Sequence, residues 1–205
     1  IINVNKNLID YLWKRNLKVQ KTDKIFLLEK KYSGLSHINK LKLIFNFLKK
    51  NNFDAIFIQN SESVAWLFNI RGFDLPHTPI TFAHTLISSK FIYIFLEDCK
   101  IPLKIKNSFS KKIKFLNIIE IPKILLDLKL NNFKVLMDPS HTNKFYYDLF
   151  NRYSKTVKLV DDPVSHYKSG KNATEIKNIF KAHIIDGIAL IKFIYWLKNR
   201  KHTIS

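Results

Sequence analysis

A chain of 205 residues with 46% hydrophobic and 14% aromatic content can bury a sizeable core, which excludes global disorder and leaves room for one large domain or one domain plus part of another. A formal charge of +19 invites a nucleic-acid partner, but the lysines are spread along the whole chain as KK and KxK pairs beside abundant Asn and Ile, with no basic stripe carrying interleaved aromatics. No window approaches the roughly 18 consecutive apolar residues of a membrane span, and Cys99 stands alone, so neither an intrachain disulfide nor a Cys-based zinc site can form. The expectation is no nucleic acid, no membrane and a reducing, cytoplasmic setting.

The chain opens on IINVNKNLIDYLW without an initiator Met or a signal region and ends on KNRKHTIS directly after a long helical pattern, so it reads as a fragment truncated at both ends. Leu8, Leu12 and Trp13 share one face of a short helix over residues 4–15, and a polar, irregular passage follows to Gly34. Ser36 is an N-cap candidate for a helix whose Ile38, Leu41, Ile44, Phe45 and Leu48 recur at helical spacing up to Asn51. FDAIFI, residues 53–58, reads as a buried strand. Asn60 or Ser61 then caps a brief helix, SESVAWLF, ending at the turn of Arg71 and Gly72.

TFAHTLISS and KFIYIFLED, separated by a Ser-Ser-Lys turn, form an antiparallel pair. KKIKFLNI is a strand, IPKILLDLKL a helix with Pro122 in its first turn, and FKVLMD another strand. Ser140 or Thr142 caps NKFYYDLFNRY, and TVKLV is the last strand. Alternating strands and helices with one tight-turn pair predict an α/β fold: a mixed sheet flanked by helices, closing near Val160. A polar boundary, DDPVSHYKSGKNATE, leads into a helix that Asn172 caps with Glu175 in a capping-box arrangement. Its apolar stripe runs from Ile176 through His183 to Leu197 over roughly 40 Å.

Chemistry is sparse. His183 and Asp186 are three apart, but two ligands make a weak metal site, and a packed or hydrogen-bonded histidine on the apolar stripe is the simpler account. Asp161 and Asp162 before Pro163 read as a solvated turn. Cys99 sits beside Asp98, a carboxylate that raises a thiol pKa. Four glycines leave no Gly-rich phosphate loop, and there is no GxSxG elbow. Asp138, Ser140 and His141 crowd together as strand-to-helix turns commonly do. By elimination the richest stretch is AWLFNIRGFDLPHTPI, residues 65–80, where Gly72 permits a special backbone, Pro76 and Pro79 stiffen a loop, and Arg71 and His77 are the candidate functional side chains. A structural turn and a functional loop both fit.

NIRGFDLPHTPI, preceded by AWLF and followed by the strand pair, resembles the hallmark of the long, three-domain Xaa-Pro aminopeptidases (aminopeptidase P, peptidase family M24), with NLIDYLW and KNATEIKNIFKAHIIDGIALIKFIYWL as further matching passages. Phe73, where a small residue is usual, and the partial Lys-rich turn at Gly170, Lys171 and Asn172 depart from the pattern. The resemblance implies a creatinase/prolidase N-terminal-like fold: residues 1–16 a helix leading in from a first domain, 17–162 the second creatinase-N-like domain, and 163–205 a linker with the first long helix of a truncated pita-bread catalytic domain. It implies a parent enzyme that releases the N-terminal residue from peptides with proline at the second position. Two divalent metal ions, manganese in the family, would be held by two Asp, one His and two Glu that lie outside this chain. No catalytic or metal residue is therefore carried over; Arg71 and His77 are expected to bind substrate or shape the cleft, the parent to be a homodimer, and the fragment alone to be inactive. The alternatives are a pita-bread homologue that has lost its metal ligands and binds peptides, or a prolidase- or creatinase-like hydrolase.

Overall fold

The computed structural model describes residues 24–97 and 101–200; the helix expected over residues 4–15 and the strand end with Asp98 and Cys99 lie outside the described residues. In chain order the elements are β1 (Phe26–Leu27), α1 (Lys30–Ser33), α2 (His37–Lys50), β2 (Ala55–Ile58), α3 (Ser61–Phe68), β3 (Ile70–Arg71), β4 (His84–Ser88) and β5 (Ile92–Phe95). They continue with α4 (Leu103–Ser108), β6 (Ile113–Leu116), α5 (Ile121–Leu128), β7 (Lys134–Met137), α6 (Lys144–Tyr153), β8 (Thr156–Leu159), α7 (Pro163–Ser169) and α8 (Ala173–Asn199).

Six strands form one sheet in the order β6-β5-β4-β2-β7-β8. β5 and β6, β2 and β7, and β7 and β8 pair in parallel, whereas β4 runs antiparallel to both β2 and β5. The expected hairpin is what reverses that one strand and makes the sheet mixed. Alternation with period two divides the side chains between two cores. Ile56, Ile58, Ile87, Ile92, Ile94 and Leu136 face α2, α3 and α7. Ala55, Phe57, Leu86, Phe95, Val135 and Met137 face α5 and α6. Both faces are covered, so β2, β5 and β7 read as near-continuous apolar runs.

Local signals placed most helices. Ser36 accepts from the Asn39 N–H, Asn60 from Glu62, and Asn172 from Thr174 and Glu175, while the Glu175 carboxylate takes the Asn172 N–H. Pro122 lies in the first turn of α5. Four expectations are corrected. The cap of α6 is Asn143, whose side chain accepts from Tyr146 at 3.0 Å, and neither Ser140 nor Thr142. The passage before Gly34 contains β1 and α1. Asp162 belongs to no solvated turn: it is 4% exposed and caps α7, accepting from the Val164 N–H at 2.8 Å, because Val164 must enter the core. His183 is exposed, since α8 leaves the sheet and buries no residue along its 27-residue length. The short helices α4 and α7 carry too few turns to show a helical period.

Candidate functional site

The stretch 65–82 is a helix end followed by a rigid loop. α3 is buried from Ser63 to Phe68, so its last carbonyls lack water and need donors from the protein. Asn69 ends the helix in the left-handed region (φ 55°). Two cations then cap it: Arg71 Nη1 donates to the Ala65 and Ile70 carbonyls at 2.7 and 2.8 Å, and Lys40 Nζ donates to the Trp66 carbonyl at 2.8 Å. Both placements suit the negative end of the helix dipole.

Lys40 reaches across from α2 and is 1% exposed. Its ammonium also donates to Asn69 Oδ1 at 2.7 Å and lies 4.0 Å from the centroid of the Trp66 ring, so its donors face acceptors and a π face. Asn69 Nδ2 donates onward to the Leu35 carbonyl at 2.8 Å. Burial pushes the Lys40 ammonium down to about 8; Glu175 opposes the shift and Arg71 adds to it. Burial also lowers the Arg71 guanidinium, again opposed by Glu175. The helix end is thereby coupled electrostatically to the first turn of α8.

Beyond Arg71 the chain makes a stapled loop. The Asp74 carboxylate accepts from Thr81 Oγ1 at 3.0 Å and the Phe82 N–H at 2.6 Å, and the Asp74 N–H donates to the Ile80 carbonyl at 3.0 Å. A Cβ on Gly72 would sit 2.8 Å from Thr81 Cβ, so glycine is what lets the returning chain approach. His77 stands at the exposed tip with φ 60°, and Phe73, 57% exposed, stacks on Phe26 at 5.5 Å. Arg71 therefore faces inward at the loop's root and His77 outward at its crest; no hydrogen bond joins them. Replacing Asp74 with Ala is expected to cost about 2 kcal/mol, because two charge-assisted bonds are lost, and to speed amide exchange at Phe82. Unchanged exchange at Phe82 would show that the loop is held by other groups.

Sequence reasoning missed Lys40, Asn69 and Asp74. The one available signal was that Lys40 lies four and eight residues before Ile44 and Leu48, inside the apolar stripe of α2. The second polar cluster lies at the carboxyl ends of β2 and β7. There His141 Nδ1 is 2.7 Å from Asp138 Oδ2, Asp138 Oδ1 accepts from the Ser140 N–H at 2.8 Å, and Gln59 Oε1 accepts from the Asn143 N–H at 2.9 Å. These bonds fold the turn that starts α6. Burial pushes the nearby Asp162 carboxyl up, while the Ser63 hydroxyl and Val164 N–H oppose that shift. Among the described residues no three His, Cys, Asp or Glu side chains converge to hold a metal ion, His183 and Asp186 included.

Fold and turn together define an α/β domain that presents a prebuilt loop and carries a long exposed helix. The chain belongs to the Creatinase/Prolidase N-terminal domain family, whose profile matches residues 16–175. It is 25% identical over 209 residues to a probable Xaa-Pro aminopeptidase P of Laccaria bicolor, covering 98% of this chain and 31% of that protein. To the Xaa-Pro aminopeptidase ApepP of Drosophila melanogaster it is 27% identical over 207 residues, covering 98% of this chain and 33% of that one. Among solved structures it superposes on the X-prolyl aminopeptidase of Caenorhabditis elegans, a cytosolic enzyme with a di-nuclear active site, with a TM-score of 0.85 and 24% identity over 96% of this chain and 32% of that one. The prolidase of Pyrococcus horikoshii shares the fold at a TM-score of 0.54 and 20% identity, over 75% of this chain and 41% of that one. The chain spans about a third of the length of the aminopeptidase relatives it matches.

Proposed function

We propose that this chain is the non-catalytic middle portion of a metal-dependent aminopeptidase that releases the N-terminal residue from peptides with proline second. The observation that carries the proposal is the continuous match of 98% of the chain to about a third of Xaa-Pro aminopeptidases. Residues 17–162 are then the second creatinase-N-like domain, and 163–205 the linker and first helix of a pita-bread catalytic domain. That assignment accounts for α8, whose Phe180, Ile184, Ile191 and Tyr195 are all more than 60% exposed, as a helix built to be covered.

Two divalent ions, manganese in this proposal, would activate water and polarise the scissile carbonyl. The described residues do not fit such a centre, so its ligands are assigned to the remainder of the enzyme. Within this chain Arg71 holds the root of the 72–82 loop and His77 lies on the crest that would line the substrate approach. The whole enzyme is proposed to be cytoplasmic and homodimeric, with neither nucleic acid nor membrane as partner. No helix of the described residues is long and apolar enough to cross a membrane.

Incubation of the 205-residue chain with Mn²⁺ and an Xaa-Pro peptide is expected to release no amino acid, and an enzyme extended to the length of the relatives is expected to release it. Metal-dependent turnover by the 205-residue chain would overturn the division of labour.

A further inference from the structure

We propose that the groove between α1 and the first turns of α8 is a binding site for a compact polyanion of the diphosphate class. The groove has a volume of about 470 Å³ and is lined by Lys30 and Lys31 from α1, Lys177 and Lys181 from α8, and the polar surface of Thr174 and Asn178. No carboxylate lines it.

Neutral bonds hold the joint together. Asn172 Nδ2 donates to the Ser33 carbonyl at 2.9 Å and Asn178 Nδ2 to the Lys31 carbonyl at 3.1 Å. These amide contacts join α1 to α8 and supply no countercharge to the four lysines that line the groove. Lys31 pairs with Glu29 at 3.0 Å, but both side chains are more than half exposed and such a pair screens little. Among the described residues Lys30, Lys177 and Lys181 have no carboxylate at ion-pair distance. Lys177 and Lys181 are also four apart on one helix, where like charges repel. An anion bridging α1 and α8 would relieve that repulsion and stiffen the joint.

The extent of the charge selects the ligand. After Lys181 the next basic residue of α8 other than His183 is Lys192, eleven residues and roughly 16 Å farther along the helix, with Asp186 between them. A polymer backbone would need a track; four lysines around one groove suit a small, highly charged anion, bound by ammonium groups acting as point charges.

Inorganic pyrophosphate titrated into the 205-residue chain at low ionic strength tests the proposal by calorimetry and amide chemical shifts. Expected are saturable one-to-one binding, at least tenfold tighter than orthophosphate, and shifts centred on Gly34, Thr174 and Asn178. The double variant Lys177→Gln/Lys181→Gln should weaken binding at least tenfold, and the exposed control pair Lys111→Gln/Lys112→Gln should leave it within twofold. Equal weakening by both pairs, non-saturating uptake, or equal affinity for orthophosphate would overturn it. So would an oligonucleotide or an anionic vesicle that binds more tightly than pyrophosphate and loses that binding in the same Lys177/Lys181 variant.

Discussion

Replacing Lys40 with methionine is expected to destabilise the domain by about 2–4 kcal/mol at pH 7, since Asn69 Oδ1 loses its buried donor and the Trp66 carbonyl keeps only the long 3.4 Å bond from the Asn69 N–H, and a buried polar group left unsatisfied costs about 1–3 kcal/mol. Methionine keeps the length of the stem and much of its packing on Trp66, so the loss isolates the ammonium. Lys40 is a cation without a carboxylate at ion-pair distance among the described residues; its stabilisation comes from two oxygen dipoles and a ring face. Urea unfolding of both proteins at pH 7 measures the difference. Equal or greater stability of Lys40→Met would mean that shedding a desolvated charge outweighs the two lost bonds.

The pH dependence provides a second readout. The ammonium has its ordinary value near 10.5 in the unfolded chain and about 8 in the folded one. Below pH 8 both states hold the proton and this contribution is flat. Between pH 8 and 10.5 the unfolded state binds more protons, so the Lys40 contribution to stability rises with pH across that window and levels off above it. In the difference between wild type and Lys40→Met, stability should therefore shift toward the wild type from pH 8 to 10.5. A pH-independent difference would show that Lys40 titrates at its ordinary value in the fold.

Gly34→Ala is the second large effect, expected at about 2–4 kcal/mol. Gly34 has φ +70°, which costs an L-residue roughly 1–2 kcal/mol. A Cβ there would collide with Asn172 Oδ1 and lie 2.7 Å from its Cγ. The amide must move, and with it go the cap of α8 and the bond to the Ser33 carbonyl; a lost cap alone costs about 1 kcal/mol. The damage should be directional: amide exchange at Thr174 and Glu175 should accelerate more than at Phe57 or Leu136 in the sheet. Uniform acceleration would mean that the joint and the sheet open as one unit.

Most of the sheet was legible because its evidence is local. FDAIFI, FKVLMD and TVKLV are apolar runs of strand length, and the Ser-Ser-Lys turn between two β-rich segments required an antiparallel neighbour. The caps Ser36 and Asn172, the latter with Glu175, were readable for the same reason: donor and acceptor lie within three residues. The six- and seven-residue helices α4 and α7 were not, since neither has room for a repeating apolar face. Asp162 looked solvated because an Asp-Asp-Pro run is polar, but the chain folds back so that the carboxylate caps α7 while Val164 enters the core.

In the 65–82 stretch, Gly72 and the two prolines announced a shaped loop, and Arg71 and His77 were the side chains worth placing. Their opposite fates came from elsewhere: Arg71 turns inward because buried α3 carbonyls need donors, and His77 stays outside because the Asp74 staple folds the loop with its tip in solvent. The amino-acid sequence by itself determined the α/β class, the order of the main strands, several caps and the family likeness, all carried by patterns spanning a few turns or a contiguous motif. Tertiary structure alone decided that Lys40 is buried, that Arg71 and Lys40 cap one helix, and that α8 is rooted on α1. Those contacts join residues 26, 29 and 139 positions apart, and no local period or propensity encodes such closures.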